Sequence, residues 1–297
     1  MKLPNFLCIG AAKCGTTTIF DILKQHNEVY TPSFKEPHFF DIESVYRNGL
    51  DWYQKTYFSK VSDEKIIADF TPSYLYEKNA PKRIFNSLGS GVKFIVLLRN
   101  PVDRAYSHYL HTKRDEYENL SFQQALLEES RRLEKAKESD DYLTELRLSY
   151  VKQGLYGRML SNYFNYFQRE NFLIIHFEEE FINKREETIK RILEFLSLDT
   201  TQKLNIHLRS NQASEARFKF IKRFMRRKGW WRETLKALIP SLKVRQIIKN
   251  RLQRLNIRSF TPKEIPVKHQ KQIFEEYFED DVIELEDLLN RKMNWDN

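Results

Sequence analysis

The sequence predicts an α/β protein of three layers, a central and mostly parallel sheet between helices, with a helical C-terminal region added. Three observations carry that expectation. Short apolar runs at residues 5–9, 66–70, 93–98 and 172–177 alternate with stretches of helical periodicity. That is the pattern of buried parallel strands joined by crossover helices. The runs end on turn chemistry: Gly10, Thr71-Pro72-Ser73 and Arg99-Asn100-Pro101. The chain has 297 residues, 41% hydrophobic and 31% charged, enough for one large core and unlike a disordered composition.

Taken in order, residues 5–9 form the first strand and Gly10 closes it. The loop AAKC follows, then Gly15 and the threonines Thr16, Thr17 and Thr18, after which Ile19, Phe20, Ile22 and Leu23 fall at helical spacing. A strand, a loop of small residues and a helix N-terminus make an anion site, because unpaired N–H groups and the helix dipole face the loop. Lys13 adds a mobile positive charge. In the Walker pattern a lysine follows the second glycine. Here Gly10 and Gly15 have that spacing, but Thr16 stands where the lysine should be and the lysine is at position 13. This argues for a phosphorylated ligand other than a nucleoside triphosphate. A strand-to-helix turn that binds nothing is the competing reading.

Residues 28–41, EVYTPSFKEPHFFD, read as a short strand running into a loop. Glu36 precedes Pro37, which predicts an extended backbone. Glu36 and His38, two residues apart, would then point to one side and could share proton-transfer work. On these residues alone, a solvated carboxylate and a filler imidazole fit better. After the strand at 66–70 and its turn, a helix is expected from about residue 80. The strand at 93–98 ends at Arg99, and Pro101 suits the first turn of the next helix. Lys13, the Thr71 turn and Arg99 fall at one sheet edge, beyond the carboxyl ends of the strands, where ligands of such sheets bind. Arg99 could fork onto a second phosphate with Ser107 donating to it; a surface ion pair is the alternative.

Residues 121–137 and 146–168 are expected as helices, 172–177 as a core strand containing a satisfied His176, and 184–196 and 268–289 as helices. Residues 217–254 contain 14 of the 50 Lys and Arg and one acid, Glu233, a local net charge of +13 against −4 for the rest. Such a patch suits polyanions or an anionic membrane surface. Cys8 and Cys14 are the only cysteines. With no histidines at zinc-ligand spacing, no metal and no disulfide framework are expected. No run of about 18 apolar residues occurs and the first strand begins close to Met1, so no membrane span, signal peptide or anchor is expected, and a cytoplasmic location fits.

With these residues in place, the chain resembles the sulfotransferases that use 3′-phosphoadenosine 5′-phosphosulfate (PAPS). It is most similar to the bacterial branch and to the modules that modify heparan-type glycans. The resemblance lies in CIGAAKCGTTTIFDIL, KEPHFFD, FTPSYLY, LLRNPVDRAYSHY and YFEDDVIELEDLLNRKMNW; the first and fourth are the specific ones. It implies a P-loop-like fold in a single domain, in which 210–265 form a basic helical insertion on the acceptor side. It also implies that Lys13, Cys14, Gly15, Thr16, Thr17 and Thr18 hold the 5′-phosphosulfate, that Arg99 and Ser107 hold the 3′-phosphate, and that Glu36 is the base with His38 beside it. The family's lysine before Thr-Pro is replaced by Phe70, which leaves more of the work to Lys13. The family's C-terminal cofactor loop has no clear counterpart, and the resemblance fades over 210–265. The expected reaction is sulfuryl transfer to a hydroxyl or amine of an acceptor, an anionic glycan among the options, with adenosine 3′,5′-bisphosphate as the other product and neither metal nor nucleic acid involved. An atypical P-loop kinase and a non-catalytic polyanion-binding protein are the alternatives.

Overall fold

The computed structural model describes residues 2–208, 214–216, 257–259 and 265–295. Five parallel strands form the central sheet: β1 (Phe6–Gly10), β2 (Val29–Tyr30), β3 (Ile66–Phe70), β4 (Lys93–Leu98) and β5 (Phe172–His176), in the order β2-β3-β1-β4-β5. Phe6 lies opposite Ala68 of β3 and Lys93 of β4, and Leu98 lies opposite His176 of β5. All five residues of β1 and of β3 are buried, as expected for strands covered on both faces. Because β1 sits in the middle and its neighbours come later in the chain, the loop after β1 opens at the point where the winding reverses.

Helices α1 (Thr16–Leu23), α2 (Glu43–Tyr46), α3 (Gly49–Tyr53), α4 (Ala80–Leu88) and α5 (Pro101–Arg114) alternate with the strands. Asn100 starts α5: its side chain accepts from the N–H groups of Val102 and Asp103, and Pro101 fills the first turn without losing a hydrogen bond. Expectation and structure differ at the longer helical stretches. Residues 121–137 form two helices, α6 (Phe122–Leu127) and α7 (Glu129–Glu138), and Ser121 with Gln124 makes a capping box for the first. Residues 146–168 are not one helix either: α8 (Tyr142–Leu148) ends, a 3-10 turn follows at Lys152–Gly154, and α9 (Tyr156–Phe164) begins. α10 (Arg185–Phe195) lies where a helix was expected. The C-terminal stretch breaks at Phe278 into α11 (Val267–Tyr277) and α12 (Glu279–Leu289).

Asp281 explains part of this packing. It faces inward from α12, buried, and accepts from the N–H groups of Gly157 (2.8 Å) and Arg158 (3.1 Å). Leu155 at the start of α9 offers no cap of its own, so the carboxylate of one helix caps the other. A Cβ at Gly157 would meet the carbonyl of Asp281 at 2.7 Å, so glycine permits the close approach.

The chain then passes under the β4–α5 corner. His176 is a core histidine as expected: its Nε2 pairs with the carbonyl of Met293 (2.8 Å) and its Nδ1 accepts from the N–H of Glu179. The Trp295 ring packs on Tyr156 and His176, and its carbonyl accepts from the Asn100 side chain. Two short strands, β6 (Ser214–Ala216) and β7 (Ile257–Ser259), pair antiparallel. The basic segment 217–254 between them lies outside the described residues. Among the described residues no helix is long and apolar enough to cross a membrane.

Candidate active site

The carboxyl ends of β1, β3 and β4 open on a cavity of about 1670 Å³, lined by Lys13, Gly15, Glu36, Arg99 and Ser107 among others. The expected site residues therefore line one cavity, except Cys14, which is fully buried behind the loop.

The loop after β1 turns sharply, with Lys13 at φ 71° and Gly15 at φ 87°. Glycine adopts this conformation without strain. It is also needed sterically, because a Cβ at Gly15 would lie 2.9 Å from the Phe181 ring and 3.0 Å from Phe177. Those rings belong to the turn of helix Phe177–Ile182 after β5. No side chain caps α1, and its first turn holds no acid, so its N-terminal dipole faces the cavity uncompensated. Thr16 and Thr18 are buried and Thr17 is half-buried. Cys14 is buried, and burial pushes its thiol up to about 11; it is a small apolar filler rather than a nucleophile. Lys13 is pushed down to about 8, first by burial and then by Arg114, with Lys35 adding to the effect and Asp115 and Glu36 opposing it.

Arg99 leaves β4 half-buried, its guanidinium over the Phe177 ring at 5.2 Å. Its carboxylate neighbours are at ion-pair distance only, Glu178 at 3.7 Å and Asp103 at 4.0 Å. Its Nε is buried without a hydrogen-bond partner. A buried, charged donor with no acceptor is costly unless an anion completes it. Ser107, two turns along α5, lines the same cavity. The surface ion pair considered from sequence is thus a loose one around an unfilled donor.

Glu36 departs from expectation. Its φ is 66° and that of His38 is 53°, so the backbone on both sides of Pro37 is left-handed rather than extended. For residues with a Cβ this costs on the order of 1 kcal/mol each and persists only where the surroundings impose it. The surroundings here are explicit. Phe39 and Phe40 are fully buried, and Phe39 stacks on Tyr53 at 4.1 Å. The N–H of Phe39 donates to the Tyr74 hydroxyl, and Arg83 donates to the carbonyl of Phe40. Tyr53 (2.5 Å), Tyr74 (2.8 Å) and Thr71 (2.7 Å) all donate to Asp69 at the end of β3. Burial raises Asp69 to about 6 against the pull of these hydroxyls.

The left-handed turn still brings Glu36 and His38 together, with Oε2 3.8 Å from Nε2. The other imidazole nitrogen, Nδ1, lies 2.8 Å from Asp41 Oδ2, and Ser73 Oγ donates to the same oxygen at 2.5 Å. An ionised carboxylate accepts only, which assigns the Nδ1 proton to His38. Burial works against charge on His38, but the hydrogen bond and charge of Asp41, then Glu36 and Asp69, outweigh it and raise its pKa above the usual 6.5. His38 therefore stays imidazolium to higher pH than a free histidine. Lys35 donates to Glu36 Oε1 at 2.6 Å. Asp41 and Lys35 both stand in the run KEPHFFD, three residues beyond His38 and one before Glu36. Sequence reasoning gave neither a role, because the turn that aims them is not a spacing. Phe70, expected near the reacting groups only as a missing lysine, lies in the core against Phe6 and Phe20.

Among the described residues no cluster of His, Cys, Asp and Glu could hold a metal ion. Residues 3–255 match the family described as "Sulfotransferase domain". The chain belongs to the sulfotransferase family. Its sulfotransferase domain is 30% identical over 202 residues to heparan sulfate glucosamine 3-O-sulfotransferase 6 of Homo sapiens, covering 66% of this chain and 53% of that protein. It is 38% identical over 109 residues to the membrane-associated sulfotransferase kil1 of Dictyostelium discoideum, covering 36% and 22%. The chain spans about half the length, or less, of these curated relatives. A solved sulfotransferase from Alicyclobacillus acidocaldarius matches with a TM-score of 0.72 at 25% identity, covering 100% of both chains.

Proposed function

We propose that this sulfotransferase uses PAPS as donor and a hydroxyl or amine of a carbohydrate as acceptor, with Glu36 as the base. The observation that carries this reading is the pairing of two anion positions on one sheet edge, the Lys13 loop after β1 and the Arg99–Ser107 pair after β4, across the cavity that also holds Glu36. A nucleotide with phosphate groups at both ends of its ribose has the matching charges. The residues fit it: the buried Nε of Arg99 lacks an acceptor, and the uncapped N-terminus of α1 faces the cavity with no acid in its first turn.

The donor supplies a sulfuryl group on a phosphate leaving group, so that the S–O bond to the 5′-phosphate breaks while one to the acceptor oxygen or nitrogen forms, the bisphosphate keeping the electron pair. Glu36 takes the proton that the acceptor loses. His38, pinned by Asp41 and Ser73, holds the Glu36 carboxylate in position. Lys13 and the N-terminus of α1 stabilise negative charge at the 5′ end. A carbohydrate acceptor is supported by the heparan sulfate glucosamine 3-O-sulfotransferases among the relatives. A P-loop kinase is disfavoured by Thr16 at the Walker lysine position.

Thermal shift and equilibrium binding test the donor. Adenosine 3′,5′-bisphosphate should bind and raise Tm, since a ligand of the native state alone stabilises it by mass action. Binding that does not distinguish it from 5′-AMP would remove the Arg99–Ser107 assignment.

A further inference from the structure

We infer that Lys35 is a further catalytic residue. In the resting site it holds Glu36, and on donor binding its ammonium passes to the sulfuryl oxygens and releases the carboxylate as base. This rests on the donor reading above and goes beyond it, because nothing in that reading gives Lys35 a role.

Three observations converge. The Lys35 side chain is 15% exposed, against 65% for its neighbour Phe34, so it is folded into the cavity rather than extended into water. It reaches Glu36 Oε1 at 2.6 Å while His38 faces Oε2 at 3.8 Å. Lys35 thus occupies one carboxylate oxygen of Glu36 while the His38 ring stands over the other, which leaves little lone-pair access for an acceptor proton. A base so held needs one partner to leave. His38 cannot, being fixed by Asp41 and Ser73. Lys35 can: its long side chain has no other hydrogen bond among the described residues, and an ammonium presents its donors as a freely rotating point charge.

The second cation is also needed. β3 brings none to the cavity, since Phe70 is buried in the core. Lys13 is pushed down to about 8 and so carries its charge only part of the time as pH approaches that value. Lys13, Lys35 and Glu36 line the same cavity, and both Lys35 and Glu36 act on Lys13 electrostatically. An anion arriving beside Lys13 competes directly with Glu36 for Lys35. The exchange moves no electrons and no covalent bond; it replaces a carboxylate by sulfuryl oxygens on one ammonium.

The test compares two nucleotides that differ only in the sulfuryl group, with no acceptor present. Lys35→Met keeps the aliphatic stem. It should weaken binding of PAPS by about 10- to 100-fold, the range for a charge-assisted hydrogen bond. It should leave adenosine 3′,5′-bisphosphate within about twofold of wild type, which also reports that the variant is folded. Lys35→Arg should restore part of the difference. Glu36→Gln should bind PAPS more tightly than wild type, because no ion pair has to be broken. Equal losses for both nucleotides in Lys35→Met, or no loss for either, would overturn the role of Lys35. A wild-type protein that does not distinguish either nucleotide from 5′-AMP would overturn the donor assignment, and the exchange with it.

Discussion

In the proposed mechanism Glu36 is the base and His38 the group that positions it. Burial works against charge on His38, but Asp41 outweighs it and makes the ring more basic than a free histidine, while its Nδ1 is engaged by Asp41, which leaves Glu36 as the first candidate for the acceptor proton. Glu36→Gln should cut turnover by about 10²- to 10⁴-fold while leaving affinity for adenosine 3′,5′-bisphosphate nearly unchanged. If kinetics showed Glu36→Gln active and His38→Ala dead, the base would be His38. Lys13 gives the site a pH dependence with a definite sign. Its pKa is lowered from 10.5 to about 8, so the charged form is complete well below pH 8 and disappears as pH rises through that value. A bound anion favours the charged form. Bisphosphate affinity should therefore be flat below about pH 7.5 and decline above about pH 8, by at most about tenfold per unit. Titrations across this range check it, and Lys13→Met should show weaker, pH-independent binding.

Among the elements, the strands were legible and the helix breaks were not. Buried parallel strands must be apolar on both faces, so β1, β3, β4 and β5 stand out as uninterrupted runs bounded by turn residues. The breaks at Glu128 and Phe278 carry neither proline nor glycine. They are imposed by packing, which a helical period does not record. The site was legible in the same uneven way. Lys13, Gly15 and Arg99 follow from where strands end, whereas the left-handed turn over Glu36 and His38 is held by Tyr53, Tyr74 and Asp69, distant in sequence. The α9–α12 contact makes its own prediction. Asp281→Ala would strip the acceptor from two N–H groups at the start of α9, one of them buried. It should cost about 1–3 kcal/mol of stability. Chemical denaturation measures this, and an unchanged midpoint would mean that water replaces the carboxylate.

For the whole molecule, charge is the feature that sequence shows most clearly. The local +13 of residues 217–254 stands against −4 elsewhere. Changing Arg226, Arg227 and Lys228 together to Glu should raise the acceptor KM without altering PAPS affinity, and the effect should shrink with added salt. Loss of binding to anionic vesicles, with unchanged kinetics on a soluble acceptor, would assign the patch to a membrane surface instead.

Trp295 is 6% exposed, its ring tilted against Tyr156 and His176, and its carbonyl is tied to Asn100, the residue after Arg99. Tyr156 in turn donates its hydroxyl to the carbonyl of Arg99. The protein thus carries a fluorophore wired to the strand end where a nucleotide phosphate would add negative charge. In a background where Trp52, Trp230 and Trp231 are phenylalanine, the colour and intensity of Trp295 emission would follow occupancy of that end of the cavity in real time. Dissociation of spent nucleotide could then be timed by stopped flow, with no label attached.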